Sequence, residues 1–308
     1  MSKEEVEIHY LRPDELGPYV EGLRALEEAI EYPVGDGADY FSIDHGEDYH
    51  RFFSEMGDAH FLVATEGGEV VGSIAGVFKR MRRGEEEFCA AYLGDMKVAE
   101  RWRGGRLGPR ILRRCLTQML KTRELRRWDV AFGAGMRGAR GDFTRMAAGK
   151  PFHVARLVRP VAELALYFEP PESLAGLVGD VEEIAGPAGV DFSWGATDGP
   201  DDWTTTVGKK DLRLKSTGKP WPLVHLVRGP AGWKRGFGAY LRRCGDEILD
   251  HGEPGSLACF GLDRRMTGHL GFLEEQGLRA GATCTVYGLA KPGVMGNAPW
   301  VHLATSEI

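Results

Sequence analysis

The chain has 308 residues, 43% apolar and 27% charged, with a formal net charge of −6. Its length favours two domains, its composition is that of a folded globular protein, and its acidic total argues against nucleic acid as the main partner. No apolar run reaches the roughly 18–20 residues that span a bilayer, and the first five residues are acidic with no apolar core behind them, so a cytoplasmic protein with no membrane segment or signal peptide is expected.

The first elements follow from hydrophobic spacing. Residues 7–11 alternate and read as a strand. Leu16, Val20, Leu23, Leu26 and Ile30 recur at helical spacing over 15–30. Residues 31–43, with Pro33, Gly35 and Gly37, read as loop, and 44–56 as a second helix with Tyr49, Phe52 and Phe53 on one side. Residues 60–65 and 69–76 flank Glu66-Gly67-Gly68, a hairpin signal. The mainly apolar run 88–98 is the next strand. It leads through Ala99-Glu100-Arg101-Trp102-Arg103-Gly104-Gly105-Arg106 into a helix whose apolar stripe is Leu107, Ile111, Leu112, Leu116, Met119 and Leu120. Residues 128–134 read as a strand and 142–148 as a short helix. Pro170-Pro171 marks a boundary, and 186–202 is loop-like.

The stretch from strand 88–98 into the helix is the most informative in the chain. Glycines let the backbone turn sharply and approach a ligand, and the free N–H groups at a helix start favour an anion. A P-loop needs Gly-Lys-Ser/Thr, which the chain lacks, and a dinucleotide fingerprint needs G-x-G-x-x-G, a spacing that Gly104, Gly105 and Gly108 do not give. Residues 101–127 carry ten Lys/Arg against the single acid Glu124, which suits a phosphate-rich ligand, although part of that charge is a solvated helix face. Cys89, Cys115, Cys244, Cys259 and Cys284 are scattered without a C-x-x-C pair, and no two histidines share i, i+4 spacing. Neither a disulfide framework nor a metal site is expected.

Val98, then Arg103-Gly104 with Leu107 and Gly108, resembles the cofactor motif of the GNAT superfamily of N-acyltransferases, in which a strand-ending valine is followed by an Arg-Gly-x-Gly turn opening a helix. One position departs: Arg106 stands where the family has its second glycine, and Gly105 where it has a basic or polar residue. The preceding hairpin and the order β-β-β-α-β-α over about 60–148 agree with the resemblance. It implies acetyl-CoA, or another acyl-CoA, held by Met96, Lys97, Val98, Arg103, Gly104, Gly105, Arg106, Leu107 and Gly108. It also implies acyl transfer to the amine of a small molecule or peptide by direct attack. The family's first two helices wall the acceptor, so Glu27, Glu28, Glu31, Asp36, Asp39, Asp44, Glu47 and Asp48 would suit a cationic amine; a merely solvated acidic surface is the alternative.

The second half repeats the theme. A strand at 222–227 leads into Gly229-Pro230-Ala231-Gly232-Trp233-Lys234-Arg235-Gly236-Phe237-Gly238 and a helix carrying Tyr240, Leu241, Cys244, Ile248 and Leu249. A strand at 256–262, the run 268–279, which resembles the end of a GNAT domain, and a strand at 282–289 follow. The reading is α/β (α+β): two GNAT-like mixed-sheet domains in tandem, the second shortened, as 1–169, a linker 170–202, and 203–308. Whether the halves share a sheet or groove is left open. The first half has the cleaner spacing and is preferred as the cofactor site.

The chemistry needs a base for the amine and an acid for the leaving thiolate. Asp95 is the nearest carboxylate to the turn. Tyr92 stands where some family members carry a glutamate. The helix tyrosine that often serves as acid has no counterpart in either half. Asp95 and Tyr92 are the catalytic candidates, and a non-catalytic acyl-CoA-binding or scaffolding protein is the alternative.

Overall fold

In the computed structural model the described residues are 5–34, 38–138, 141–142, 158–181, 188–194, 201–233 and 236–308. Strand β1 (Glu7–Leu11) is followed by two short 3-10 turns and helix α1 (Val20–Glu28). The segment read as loop contains β2 (Tyr32–Val34) and β3 (Asp39–Asp44), and the helix expected from residue 44 is confined to α2 (Arg51–Met56). The reason is tertiary: β3 pairs with a strand from the far half of the chain, which local spacing cannot reveal.

The hairpin forms as β4 (Asp58–Glu66) and β5 (Glu69–Arg83), with Gly67 and Gly68 at positive φ. Then come β6 (Glu86–Val98), α3 (Leu107–Lys121), β7 (Val130–Gly138), β8 (Gly141–Asp142) and β9 (Arg159–Glu169). The short helix expected over 142–148 lies outside the described residues, apart from Asp142 in β8. Helix α4 (Pro171–Ala175), β10 (Val190–Asp191), β11 (Trp203–Thr205), β12 (Asp211–Leu214) and β13 (Leu223–Leu226) follow. The chain closes with α5 (Phe237–His251), β14 (Leu257–Asp263), α6 (Thr267–Glu275), β15 (Ala282–Ala290) and β16 (Val301–His302).

Among the described residues these strands make a 13-stranded sheet, with the path β1-β4-β5-β6-β7-β15-β9-β14-β13-β11. The two halves are interleaved. β15, from the end of the chain, lies antiparallel between β7 and β9, and β9 pairs in turn with β14. β12 extends the β2–β3 hairpin into a separate three-stranded sheet. Together they give the mixed α/β architecture expected, in one continuous main sheet.

Helix α3 buries Leu107, Ile111, Cys115 and Met119, a tighter four-residue stripe than the one read from sequence; Leu120 is 59% exposed instead. Gly72 on β5 makes this packing possible, because a Cβ there would sit 2.8 Å from Ile111 Cδ1. Helix α5 buries Phe237, Tyr240, Leu241, Cys244 and Ile248 in the second half's own core. Among the described residues no helix is long and apolar enough to cross a membrane.

Candidate functional site

Strands β6 and β7 are parallel neighbours only at Ala90–Tyr92 against Val130–Phe132. β7 is paired with β15 along its other edge from Val130 to Arg137, and beyond Tyr92 no ladder joins β6 to β7. The strands part where Gly133 crowds Leu93, since a Cβ at Gly133 would meet the Leu93 carbonyl at 2.7 Å. On its other side β6 is bulged against β5 between Gly94 and Lys97. Asp95 sits in this bulge at φ +54, the only positive-φ residue other than glycine among the described residues. Aspartate tolerates that region better than most side chains.

Past Val98 the chain makes a short 3-10 turn (Glu100–Trp102) and enters α3. Gly104 has φ +72, which requires glycine. Arg106 has ordinary helical angles as N-cap, so the position that departs from the family pattern needs no glycine here. Arg103 folds back and donates from Nε to the Val98 carbonyl at 3.1 Å, tying the turn to the end of the strand. Among the described residues no protein acceptor takes the N–H groups of Gly104, Arg106, Leu107 and Gly108. Four donors converging at a helix start form a ready anion site. Three of the other cations in the basic block are engaged elsewhere: Arg101 with Glu69, Arg127 with Asp58, and Arg110 with the Val6 carbonyl. Arg106 is exposed at the mouth of the turn.

The cofactor candidates are therefore contiguous, but their side chains divide. Met96 is half-buried, Val98 is buried under α3, and Lys97 is 2% exposed with its ammonium directed away from the turn. Only the backbone of these three faces the parted strands' route.

Lys97 is the centre of a buried charged cluster. Its ammonium bonds Glu27 at 2.9 Å and Asp95 at close range. Glu27 also takes His45 Nδ1 at 2.5 Å and the His45 N–H at 3.2 Å, and the Tyr49 hydroxyl donates to Asp95 at 2.6 Å. Burial alone would raise the Asp95 pKa, but Lys97, His45 and the hydrogen bonds from Lys97 and Tyr49 outweigh it and hold the carboxyl well below its usual range. Burial would likewise lower Lys97, yet Asp95 and Glu27 raise it. Glu27, His45 and Asp95 bring ligand atoms within 4.8 Å of one another, a spacing that would suit a cation; the Lys97 ammonium already bonds both carboxylates and supplies that charge.

Tyr92 is buried against Phe132 with ring centroids 5.2 Å apart, and its hydroxyl end lies over Gly94. Burial, then the Asp95 charge, pushes the phenol far up, so it stays protonated. The structure thus brings Tyr92 and Asp95 to the start of the strand gap, in different surroundings.

Sequence reasoning missed Glu27, His45 and Tyr49 as partners. The signal was present but weak: Glu27 sits on the apolar stripe of α1 four residues after Leu23, and Asp95 and Lys97 interrupt an apolar strand. The proposed acidic wall is also consumed from across the chain. Asp44 takes Arg213, Glu31 takes Lys215, and Asp39 takes Ser216; Asp36 lies outside the described residues. Lys210 reaches in from the same segment over the Phe52 ring at 4.7 Å, and burial lowers its pKa to about 8.

The second turn is built differently. Gly236 has φ +92, and a Cβ there would lie 2.5 Å from Asp180 Oδ2. The Asp180 carboxylate accepts from the N–H of Gly238 at 2.7 Å and of Ala239 at 3.2 Å. Two of the first N–H groups of α5 are thus taken by an acid of the chain itself.

Comparison with known proteins agrees with this geometry. The acetyltransferase (GNAT) family pattern matches residues 26–141. No curated protein matches the chain. Among solved structures, a tandem GNAT protein from the clavulanic acid biosynthesis pathway, solved without acetyl-CoA, is 11% identical and covers 93% of this chain and 98% of its own, with a TM-score of 0.52. That likeness shows the fold. A putative acetyltransferase from Pyrococcus horikoshii is 12% identical over 98% of this chain and 95% of its own, at TM-score 0.48. A GNAT family acetyltransferase from Brucella melitensis, in complex with acetyl-CoA, is 20% identical over 46% of this chain and 81% of its own, at TM-score 0.30.

Proposed function

We propose that the protein is an acyl-CoA-dependent N-acyltransferase, with acetyl-CoA as donor and the amine of a small molecule or peptide as acceptor, and that its first half holds the cofactor. The observation that carries this reading is the set of unpartnered N–H groups at Gly104, Arg106, Leu107 and Gly108, beside strands that part after Tyr92. The pyrophosphate of CoA would sit on those donors, with Arg106 at its edge and Arg103 bracing the turn. The pantetheine arm would run along the unpaired side of β6 at Met96, Lys97 and Val98, taking backbone hydrogen bonds. A backbone N–H near the bulge would polarise the thioester carbonyl.

Holding amine and thioester together supplies much of the acceleration. In this reading Tyr92, whose phenol burial keeps protonated, would offer a hydrogen bond to the leaving thiolate, which takes its proton from water. Asp95, held ionised and already paired with Lys97, is a weak proton acceptor in the resting state, and an acceptor ammonium would have to share its carboxylate with Lys97. The shared carboxylate orients the amine and passes the amine's proton towards water. The chain segments 1–169, 170–202 and 203–308 are retained as units of sequence, with the sheet shared between the first and last. The locked Asp95–Lys97 pair also favours the second reading, a protein that binds acyl-CoA without transferring the acyl group.

Calorimetric titration of the full chain with acetyl-CoA and CoA, followed by thiol release with a panel of amines, tests both. One site per chain with turnover supports the transferase. One site without turnover across the panel supports the binding protein. No binding of either ligand overturns both.

A further inference from the structure

Beside the second turn lies a cavity of about 330 Å³ that the reading above does not use. Its walls include Trp194, Trp233, Trp300, Phe237, His269 and Arg82. The volume lies in the range of small-molecule sites, and five of the residues on its wall carry flat rings. Trp233 stands 4.5 Å from Phe237 and 5.3 Å from His269, centroid to centroid. Trp233 is itself fixed by a hydrogen bond from Nε1 to the Arg228 carbonyl at 3.0 Å. The backbone is pared to glycine so that a ring can stand against it: a Cβ at Gly189 would lie 2.0 Å from the Trp300 ring.

Two observations define the ligand. His269 is 4% exposed and lines the cavity, yet neither ring nitrogen has a hydrogen-bond partner among the described residues. The imidazole nitrogens are not among the fully buried unpartnered atoms, so they remain reachable, and a ligand carrying a complementary ring nitrogen or N–H would bond them. Burial lowers the His269 pKa, so the ring offers one donor and one acceptor and no charge. Among the described residues the charged side chains at the wall have partners, Arg82 with Glu85 at 2.6 Å (its buried Nε has none), Arg228 with Asp202 at 3.0 Å, and Asp191 with the Ser193 N–H at 2.9 Å. The helix N-terminus at the cavity, where a phosphate would dock, is filled by the Asp180 carboxylate.

We propose that this cavity is a second binding site, separate from the turn at Gly104, for a neutral planar heteroaromatic ring that stacks between the tryptophans and hydrogen-bonds to His269. A pyrophosphate-bearing ligand does not fit it, because its anion would meet a carboxylate where the first half offers free N–H groups.

The test uses the full chain and quinoline, a neutral flat ring with one acceptor nitrogen, followed by calorimetry. The expected result is one quinoline per chain with a dissociation constant below about 1 mM. His269→Phe keeps the ring and removes the nitrogens, and is expected to weaken quinoline about tenfold, the loss of one buried hydrogen bond. Ala188→Trp, at an exposed residue of the cavity wall, fills the space and is expected to abolish binding. Thermal melts of both variants report that they fold. CoA titrations in the same samples report the first site separately, so failure of the cofactor reading leaves this test intact. No quinoline binding to the unaltered chain, equal binding to Ala188→Trp, unweakened binding to His269→Phe, or competition between quinoline and CoA would each overturn the proposal.

Discussion

The two glycine turns of this chain start from the same local plan and end in opposite states. In each, a strand meets glycines, one of them at positive φ, and a 15-residue helix follows. At the first, the opening N–H groups of α3 find no acceptor among the described residues. At the second, Asp180 has taken two of those of α5. The strands behind the turns differ in the same sense. β6 brings Asp95 and Lys97 into a buried ionic cluster, whereas β13 brings His225, which burial lowers to about 3 and which bonds Thr305 at 2.9 Å. A glycine turn before a helix is thus a permissive scaffold. What decides whether it can bind an external anion is whether another part of the chain has already supplied one.

The largest expected effect separates the strands. Lys97→Met leaves Glu27 and Asp95 buried without their cation, and should cost about 3–5 kcal/mol in urea unfolding. The corresponding loss for His225→Phe, a neutral ring with one hydrogen bond, should be about 1–2 kcal/mol. Comparable losses would erase the contrast between β6 and β13. The cluster also sets a pH window. The lowered Asp95 contributes stability that is complete above its unfolded pKa near ~3.9 and is lost as pH falls through its lower folded value. The raised Lys97 contributes stability that is complete below its unfolded pKa near ~10.4 and is lost as pH rises through its higher folded value. The cluster's own contribution should therefore be level between these limits, while His225, buried neutral, costs stability as pH falls below its unfolded pKa near ~6.5; Lys97→Met should shrink the alkaline loss, and raised Tyr92 keeps part of it.

Next in size is the first turn itself. Gly104→Asp with Gly108→Asp places carboxylates where the second half has Asp180, and forces a side chain onto a φ of +72. CoA affinity should fall by at least about 100-fold, or about 2.7 kcal/mol. Unchanged affinity would remove the cofactor from this turn. Arg106→Ala should be milder. An exposed arginine at the edge of a helix N-terminus is worth about 0.3–1 kcal/mol to a bound phosphate, a loss of about two- to fivefold that shrinks in high salt.

How much of this was legible in the sequence follows from the range of each interaction. The hairpin at Gly67-Gly68, helix α3 and the strand–turn–helix of the second half are local patterns, and they were readable. The departure at Arg106 looked harmful on paper and is not so in the backbone, because the strained position is Gly104. What was hidden is what the chain assembles from afar. β15 enters between β7 and β9, β12 turns a presumed loop into the strands β2 and β3, and Glu27 reaches Lys97 across 70 residues. Each needs knowledge of which segments meet, which no periodicity contains. Tyr92 and Asp95 were picked for their place on one strand; that one is an apolar-packed phenol and the other an ion-paired carboxylate depends on those distant neighbours.

The smallest effect bears most directly on the comparison. Asp180→Asn keeps the shape of the cap and removes its charge, so α5 should lose roughly 0.5–1 kcal/mol, seen as a small drop in melting temperature. The variant should still bind CoA once per chain. An asparagine oxygen continues to occupy the N–H groups of Gly238 and Ala239. Asp180→Gly empties the cap altogether. If the halves differ only by that carboxylate, this variant gains a second CoA site. If they differ also in the wall behind the turn, where Trp233, Phe237 and His269 stack, stoichiometry stays at one, because the rings occupy the space through which a pantetheine arm would have to pass. The expected value is one, and two would mean that the second half is a cofactor site closed by a single side chain.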